Sequence, residues 1–297
     1  MSPVIPGSVR DNGRPLPRQV EIIDVSPRDG LQNEPVLVSA DKKKELILRL
    51  SKAGFRRIET TSFVHPKWVP QMADAEAIVA YCNQLGITYI TLTPNLKALE
   101  RALAADVPQI AVFIGASNAF NQKNVNRTTD ESLAECEPLF ARAKQRGLFV
   151  RAYVSTVWHC PYQGAVSYEE VDHVVKRFAE LGADEIDLGD TNGQAHPQEV
   201  FERCQSLKEA YPRMPFVGHF HDTSKLALAN VYAALLAGVD RFDASTGGLG
   251  GCPFSPGATG NVATEDVLAM LDKMGIHTGT YLDAETVSFA RSLSTRI

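Results

Sequence analysis

An alternation constrains this chain more than any single motif. A short run rich in Val, Ile, Thr or Phe is followed by a helical pattern, and the scheme repeats eight times from residue 20 onward. The runs lie at 20–25, 57–60, 88–92, 110–114, 149–154, 185–188, 216–220 and 241–244. Runs of this kind are typical of parallel strands buried on both faces. The clearest helical patterns, at 41–53, 130–146, 168–181 and 224–237, each stop at a glycine: Gly54, Gly147, Gly182 and Gly238. Glycine accepts the left-handed backbone that closes a helix, and a closed helix running into a buried strand is the junction of a repeated β-α unit. Eight units in roughly 250 residues match a (β/α)8 barrel, the TIM barrel. The rival, a doubly wound open sheet, often has a G-x-G-x-x-G turn after its first strand. Here that place holds Ser26-Pro27-Arg28-Asp29-Gly30. The expected organisation is a single α/β barrel domain at 20–279, an irregular arm at 1–19, and a C-terminal helix within 280–297 packed on the barrel.

Composition narrows the function classes. The chain carries a formal charge of -5, so no basic excess exists to neutralise a nucleic-acid backbone. Its five cysteines, Cys82, Cys136, Cys160, Cys204 and Cys252, are scattered and form no C-x-x-C. That pattern argues against a disulfide framework or a zinc knuckle and fits a reducing compartment. Met1 to Gln19 lacks the apolar core of a signal peptide, and no apolar run approaches the ~20 residues of a membrane span. The expectation is a soluble cytoplasmic protein with no membrane or nucleic-acid partner.

In a barrel, functional groups come from the C-terminal strand ends and the loops after them. Strand 1 is followed by Arg28, Asp29 and Gln32; strand 2 is expected to end at Glu59. Arg151 lies in strand 5, Asp187 and Asp190 belong to strand 6, and strand 7 ends in His219-Phe220-His221. A spacing of two puts both imidazoles on one face of the strand. Paired imidazoles with oxygens from Asp29 and Asn261 suit a divalent cation, and the hard oxygens favour Mg²⁺ or Mn²⁺ over Zn²⁺. Two hydrogen-bonded core histidines are the plain alternative. Arg28 is placed to stabilise an oxyanion, with Glu59 orienting it or acting as a base. Cys252 sits in a glycine-dense stretch and is a candidate proton donor or acceptor. Lys42-Lys43-Lys44 reads as a solvated helix face, with contact to the phosphates of a large cofactor as the alternative. Trp68, Trp158 and Phe63 read first as packing, with a substrate channel as the alternative.

These residues carry a resemblance. The segments 26–34, 58–64, 66–72, 92–95, 219–223 and 248–266 are similar to the 3-hydroxy-3-methylglutaryl-CoA lyase family. The glycine loop with its cysteine is specific to that family; R-D-G-x-Q with H-x-H is shared by a wider group of metal-dependent Claisen-type enzymes. The resemblance implies a barrel that cleaves the acyl-CoA thioester to acetyl-CoA and acetoacetate. It implies a divalent metal at Asp29, His219, His221 and Asn261, catalysis by Arg28, Asp29, Glu59 and Cys252, and a substrate pocket that includes Arg28, Gln32, Arg151, Asp187 and Asp190. A homo-oligomer fits the same reading. The chain departs from the usual family pattern at Pro35, Trp158, His159, Asp187, Asn192, Ser224 and Lys225. Most of these fall on the loop face, so the acyl group can differ within the 3-hydroxy-3-alkylglutaryl-CoA class. Two other readings stand beside the lyase: a Claisen synthase of the 2-isopropylmalate synthase type, disfavoured by the short C-terminal tail, and a non-catalytic barrel, disfavoured by the intact polar set.

Overall fold

The computed structural model describes residues 10–11, 14–250 and 260–295. Eight parallel strands close into a barrel: β1 Glu21–Asp24, β2 Ile58–Ser62, β3 Tyr89–Leu92, β4 Gln109–Gly115, β5 Phe149–Ser155, β6 Glu185–Asp190, β7 Phe216–Phe220 and β8 Arg241–Ala244. Each pairs with its sequence neighbours, and β8 pairs with β1 to complete the ring. Four strands run further than the sequence pattern predicts. β2 continues through Thr61-Ser62, β4 through Gly115, β5 through Ser155 and β6 through Gly189-Asp190. The polar ends of β2, β5 and β6 look like loop in sequence but sit inside the barrel wall. Glu59 is therefore the second residue of β2 and not its end.

Helices α1 Ala40–Lys52, α2 Ala75–Leu85, α3 Leu96–Ala104, α4 Asn118–Val125, α5 Thr129–Gln145, α6 Tyr168–Leu181, α7 Pro197–Ala210, α8 Ala227–Leu236 and α9 Thr264–Lys273 follow the strands, and α10 Ala284–Arg291 comes last. Their starts are chemically marked. Ser39 accepts the Lys42 N–H, and Thr128 with Glu131 and Ser167 with Glu170 form reciprocal caps that satisfy free backbone donors. One expectation fails in α1. Lys43 is buried and its ammonium donates to the Gln71 carbonyl and to both oxygens of Asp74, at 2.9 Å each. A run of three lysines straddles the helix, so its middle member turned inward and had to find partners.

Two apolar cores result. The larger fills the layer between strands and helices. The smaller lies within the barrel and gathers Ile23, Val25, Ile90, Leu92, Ala111, Tyr153 and Val217. β2 and β5 to β8 contribute Glu59, Arg151, Asp187, His219 and Asp243, all buried. At the lower end, where the strands begin, Arg57 is bidentate to Glu21 (2.9 and 3.0 Å) and to Glu185 (2.6 and 3.0 Å), and Arg241 also reaches Glu185 at 3.0 Å. No helix among the described residues is long and apolar enough to cross a membrane.

Candidate active site

The turn after β1, Ser26–Gly30, is a single π-type turn that lifts Arg28 and Asp29 to the barrel mouth. It needs glycine at its end: a Cβ on Gly30 would lie 2.9 Å from both Leu249 Cβ and Ser245 Oγ. Arg28 is buried and fully engaged. Its Nε and NH2 reach Glu59 Oε2 at 2.7 and 2.5 Å, and NH1 donates to Asp29 Oδ1 at 2.7 Å. The other Glu59 oxygen, Oε1, has no partner among the described residues. Burial raises the Glu59 pKa against the pull of Arg28. For Asp29 the balance is reversed. Burial would raise it, but Arg28, His219 and His221 outweigh burial and hold it below the usual carboxylate range.

β7 delivers the histidines. His219 Nε2 and His221 Nε2 face each other at 3.3 Å, and His219 Nε2 lies 4.0 Å from Asp29 Oδ2. Behind His219, Nδ1 meets Asp243 Oδ2 at 3.0 Å. A carboxylate that accepts from Nδ1–H fixes the ring with Nε2 toward the mouth, as in histidines prepared to ligate a metal. Burial alone would lower the His219 pKa; Asp243, Asp187 and Asp29 overcome it and raise it to about 9. Burial and the neighbouring His219 push His221 down to about 4, leaving that ring neutral. Asn261 joins from the other side. Its backbone bridges to His221 and its Nδ2 donates to Asp29 Oδ2 at 2.8 Å.

One ligand atom each from Asp29, His219 and His221 lies within 4.8 Å of the others. The donor set is that of a divalent-cation site. Asp29, Glu59, Asp187 and Asp243 share this site with the guanidiniums of Arg28 and Arg151. A second set, Asp187, His219 and Asp243, is equally close. Both its carboxylates already hold Arg151 NH2, at 2.6 Å each.

The structure brings Arg28, Asp29, Gln32, Glu59, His219, His221 and Asn261 together and gives Arg151, Asp187 and Asp190 partners elsewhere. Gln32 donates to Asp29 Oδ1 at 3.0 Å. Arg151 and Asp187 lie below the histidines and pair with one another. Asp190 accepts the backbone N–H groups of Gln194 and Ala195, so it shapes the loop after β6; burial raises its pKa to about 7. Trp158 packs against Phe220, and Trp68 is 82% exposed. Cys252 lies outside the described residues. Cys82, Cys136 and Cys204 are buried helix residues with thiols pushed up to about 12 by burial, which fits inert packing; Cys160 is buried in a two-residue strand and not on a helix.

Sequence reasoning missed Asp243 and Tyr153. Tyr153 lies between the Arg28 and Arg151 guanidiniums, 5.7 and 4.7 Å from its ring centre, and keeps these like charges apart. The signal for both was available. Asp243 is a carboxylate inside an apolar strand, and Tyr153 is two residues from Arg151 and so shares its face.

The HMGL-like family model matches residues 19–289. The chain belongs to the HMGL-like family. A Pseudomonas aeruginosa 3-hydroxy-3-isohexenylglutaryl-CoA/hydroxy-methylglutaryl-CoA lyase is 45% identical over 270 residues, 91% of this chain and 90% of its own. The human mitochondrial hydroxymethylglutaryl-CoA lyase is 45% identical over 268 residues, 90% of this chain and 82% of its own. The solved HMG-CoA lyase from Brucella melitensis superposes with a TM-score of 0.90 at 44% identity, covering 93% of this chain and 99% of its own. An HMG-CoA lyase from Acinetobacter baumannii, solved with coenzyme A and 3-methylmalate, gives a TM-score of 0.84 at 38% identity, covering 93% and 90%. The family resemblance read from the motifs therefore extends over nearly the whole HMGL-like chain.

Proposed function

We propose that this HMGL-like chain is a carbon–carbon lyase. It cleaves 3-hydroxy-3-methylglutaryl-CoA, or a close 3-hydroxy-3-alkylglutaryl-CoA, to acetyl-CoA and acetoacetate or the matching 3-oxo acid. One observation carries the reading: a buried arginine fixed by two carboxylates stands beside a carboxylate and two imidazoles that converge at the barrel mouth. The relatives named as lyases support it, and the coenzyme A bound by the A. baumannii protein supports a CoA thioester as the substrate class.

Asp29, His219 and His221, with Asn261 once its amide oxygen faces them, would hold Mg²⁺ or Mn²⁺. A divalent ion there supplies Lewis acidity that makes a tertiary hydroxyl easier to deprotonate. The chain's own groups do the rest. The 3-hydroxyl proton passes to a base at the mouth, and the electron pair left on the oxygen forms the ketone as the C2–C3 bond breaks. The bonding pair passes through C2 to the thioester oxygen as an enolate. Arg28, locked by Glu59 and Asp29, is pre-aligned to hold that oxyanion without reorganising. Cys252 supplies the proton that converts C2 to the methyl group of acetyl-CoA, or takes part in the first deprotonation. The test is a panel of 3-hydroxy-3-alkylglutaryl-CoA thioesters scored for acetyl-CoA. Release from at least one supports the lyase; none from any, with metal present, rejects it.

A further inference from the structure

Asp24, the last residue of β1, is buried and is not part of the site described above. It alternates with Ile23, which faces the barrel interior, and shares its side of the strand with Ile22, which belongs to the outer core. Its carboxylate therefore stands among apolar groups between strand and helices, where an uncompensated acid is costly. Five donors compensate it. Oδ1 accepts the Ser26 N–H at 3.0 Å and the Ser26 hydroxyl. Oδ2 accepts the Thr246 N–H at 3.1 Å, the Thr246 hydroxyl at 2.6 Å and the Thr264 hydroxyl at 2.9 Å.

The three partners sit at informative places. Ser26 opens the turn that carries Arg28 and Asp29. Thr246 follows β8 on one side of the glycine-rich segment, and Thr264 closes the other side, three residues after Asn261. The two sides touch each other as well: Ser245 N–H donates to Val262 O at 3.0 Å and Thr264 N–H to Ser245 O at 3.1 Å. Gly250 and Gly260 meet so closely that a Cβ on Gly260 would overlap the Gly250 backbone. One carboxylate thus ties the turn that presents Asp29 to both sides of the segment that presents Asn261. Those two side chains meet at 2.8 Å in the mouth.

Resting on the metal site just proposed, we propose that Asp24 is a positioning residue whose carboxylate sets the spacing of the two oxygen donors, Asp29 and Asn261, and thereby the affinity of the site for its divalent ion. Both carboxylate oxygens are needed as acceptors for the donors. Two of them, Ser26 N–H and Thr246 N–H, belong to fixed backbone and point at different oxygens, so an asparagine would turn its own NH2 group against one of them.

The test is Mn²⁺ binding to the full chain, with free Mn²⁺ read by electron paramagnetic resonance. Asp24→Asn is expected to weaken binding by roughly 10- to 100-fold, as loss of a supporting partner does at other metal sites. Thr264→Val keeps the shape, removes one donor, and should weaken it by a smaller factor; it carries the test if Asp24→Asn does not fold. Val175→Ala, a buried change in α6, which packs on α5 and on β5 across the barrel from β1, controls for general destabilisation and should bind as wild type does. Unchanged Mn²⁺ affinity in Asp24→Asn, or in Thr264→Val where that variant carries the test, overturns the proposal, as does equal weakening in Val175→Ala. A wild-type chain that binds no Mn²⁺ instead rejects the metal site itself, and the role of Asp24 with it.

Discussion

At the lower end of the barrel Arg57 and Arg241 share Glu21 and Glu185; at the mouth Arg28 shares Glu59 and Asp29. The ingredients are alike but the accounts differ. Below, every nitrogen of the Arg57 guanidinium and every oxygen of the two glutamates has a hydrogen-bond partner. In the upper half Glu59 Oε1, Asp187 Oδ1, Arg151 NH1 and His221 Nδ1 are buried without a hydrogen-bond partner among the described residues. Buried polar groups are satisfied almost everywhere in native proteins, so a local concentration of exceptions marks a place arranged for something else. The lower cluster is closed and structural. The upper one leaves donors and acceptors without partners, which supports the ion and substrate proposed for it.

The comparison can be broken first by removing metal. EDTA treatment is expected to abolish acetyl-CoA release, and Mg²⁺ or Mn²⁺ to restore it; full turnover in metal-free protein would show that the mouth needs no ion. Next comes Arg28→Lys, which keeps the charge and loses the planar fork held by Glu59. A loss of about 10²–10³ in kcat is expected for an oxyanion donor. Near-normal kcat with a raised KM would make Arg28 a binding group only. Cys252→Ser should fold normally and turn over about 10²-fold more slowly, the lower range for a positioned proton donor. Wild-type kcat in that variant, still abolished by thiol alkylation, would move the role to another cysteine.

Below the mouth the prediction changes in kind. Glu185→Gln breaks the closed cluster and should cost about 3–5 kcal/mol in urea unfolding, as loss of one partner of a buried ion pair does. The kcat of the folded fraction should stay at the wild-type level; a selective fall in kcat with stability intact would erase the distinction between the two ends. The last prediction concerns Asp190. Burial raises its folded pKa to about 7, above the ~3.9 of an unfolded chain. Between those values the unfolded chain has released a proton that the folded one retains, so this group makes stability fall as pH rises from about 4 to about 7 and adds no slope above. Asp190→Asn should flatten that part of a melting-temperature profile against pH. Parallel profiles would show that Asp190 does not contribute.

Much of the site was legible because its signals are local. His219 and His221 share a face through strand periodicity, and Arg28-Asp29 directly follows a strand. Where the reading failed, the information was distant. Lys43 was read as solvated because a lysine run is normally so, and only Asp74 and the Gln71 carbonyl explain its burial.

The sequence by itself determined the barrel, since eight apolar runs with glycine-stopped helices leave few other ways to bury that much surface. It also determined which residues reach the mouth, because strand parity and strand ends are properties of consecutive residues. Tertiary structure alone decided which charges complete each other. Arg57 meets Glu185 across 128 positions of sequence, Asp24 meets Thr264 across 240, and Asp29 meets Asn261 across 232. Ring closure brings β8 beside β1, and hydrogen bonds act over about 3 Å whatever the separation along the chain. No local pattern records which partner closure will supply.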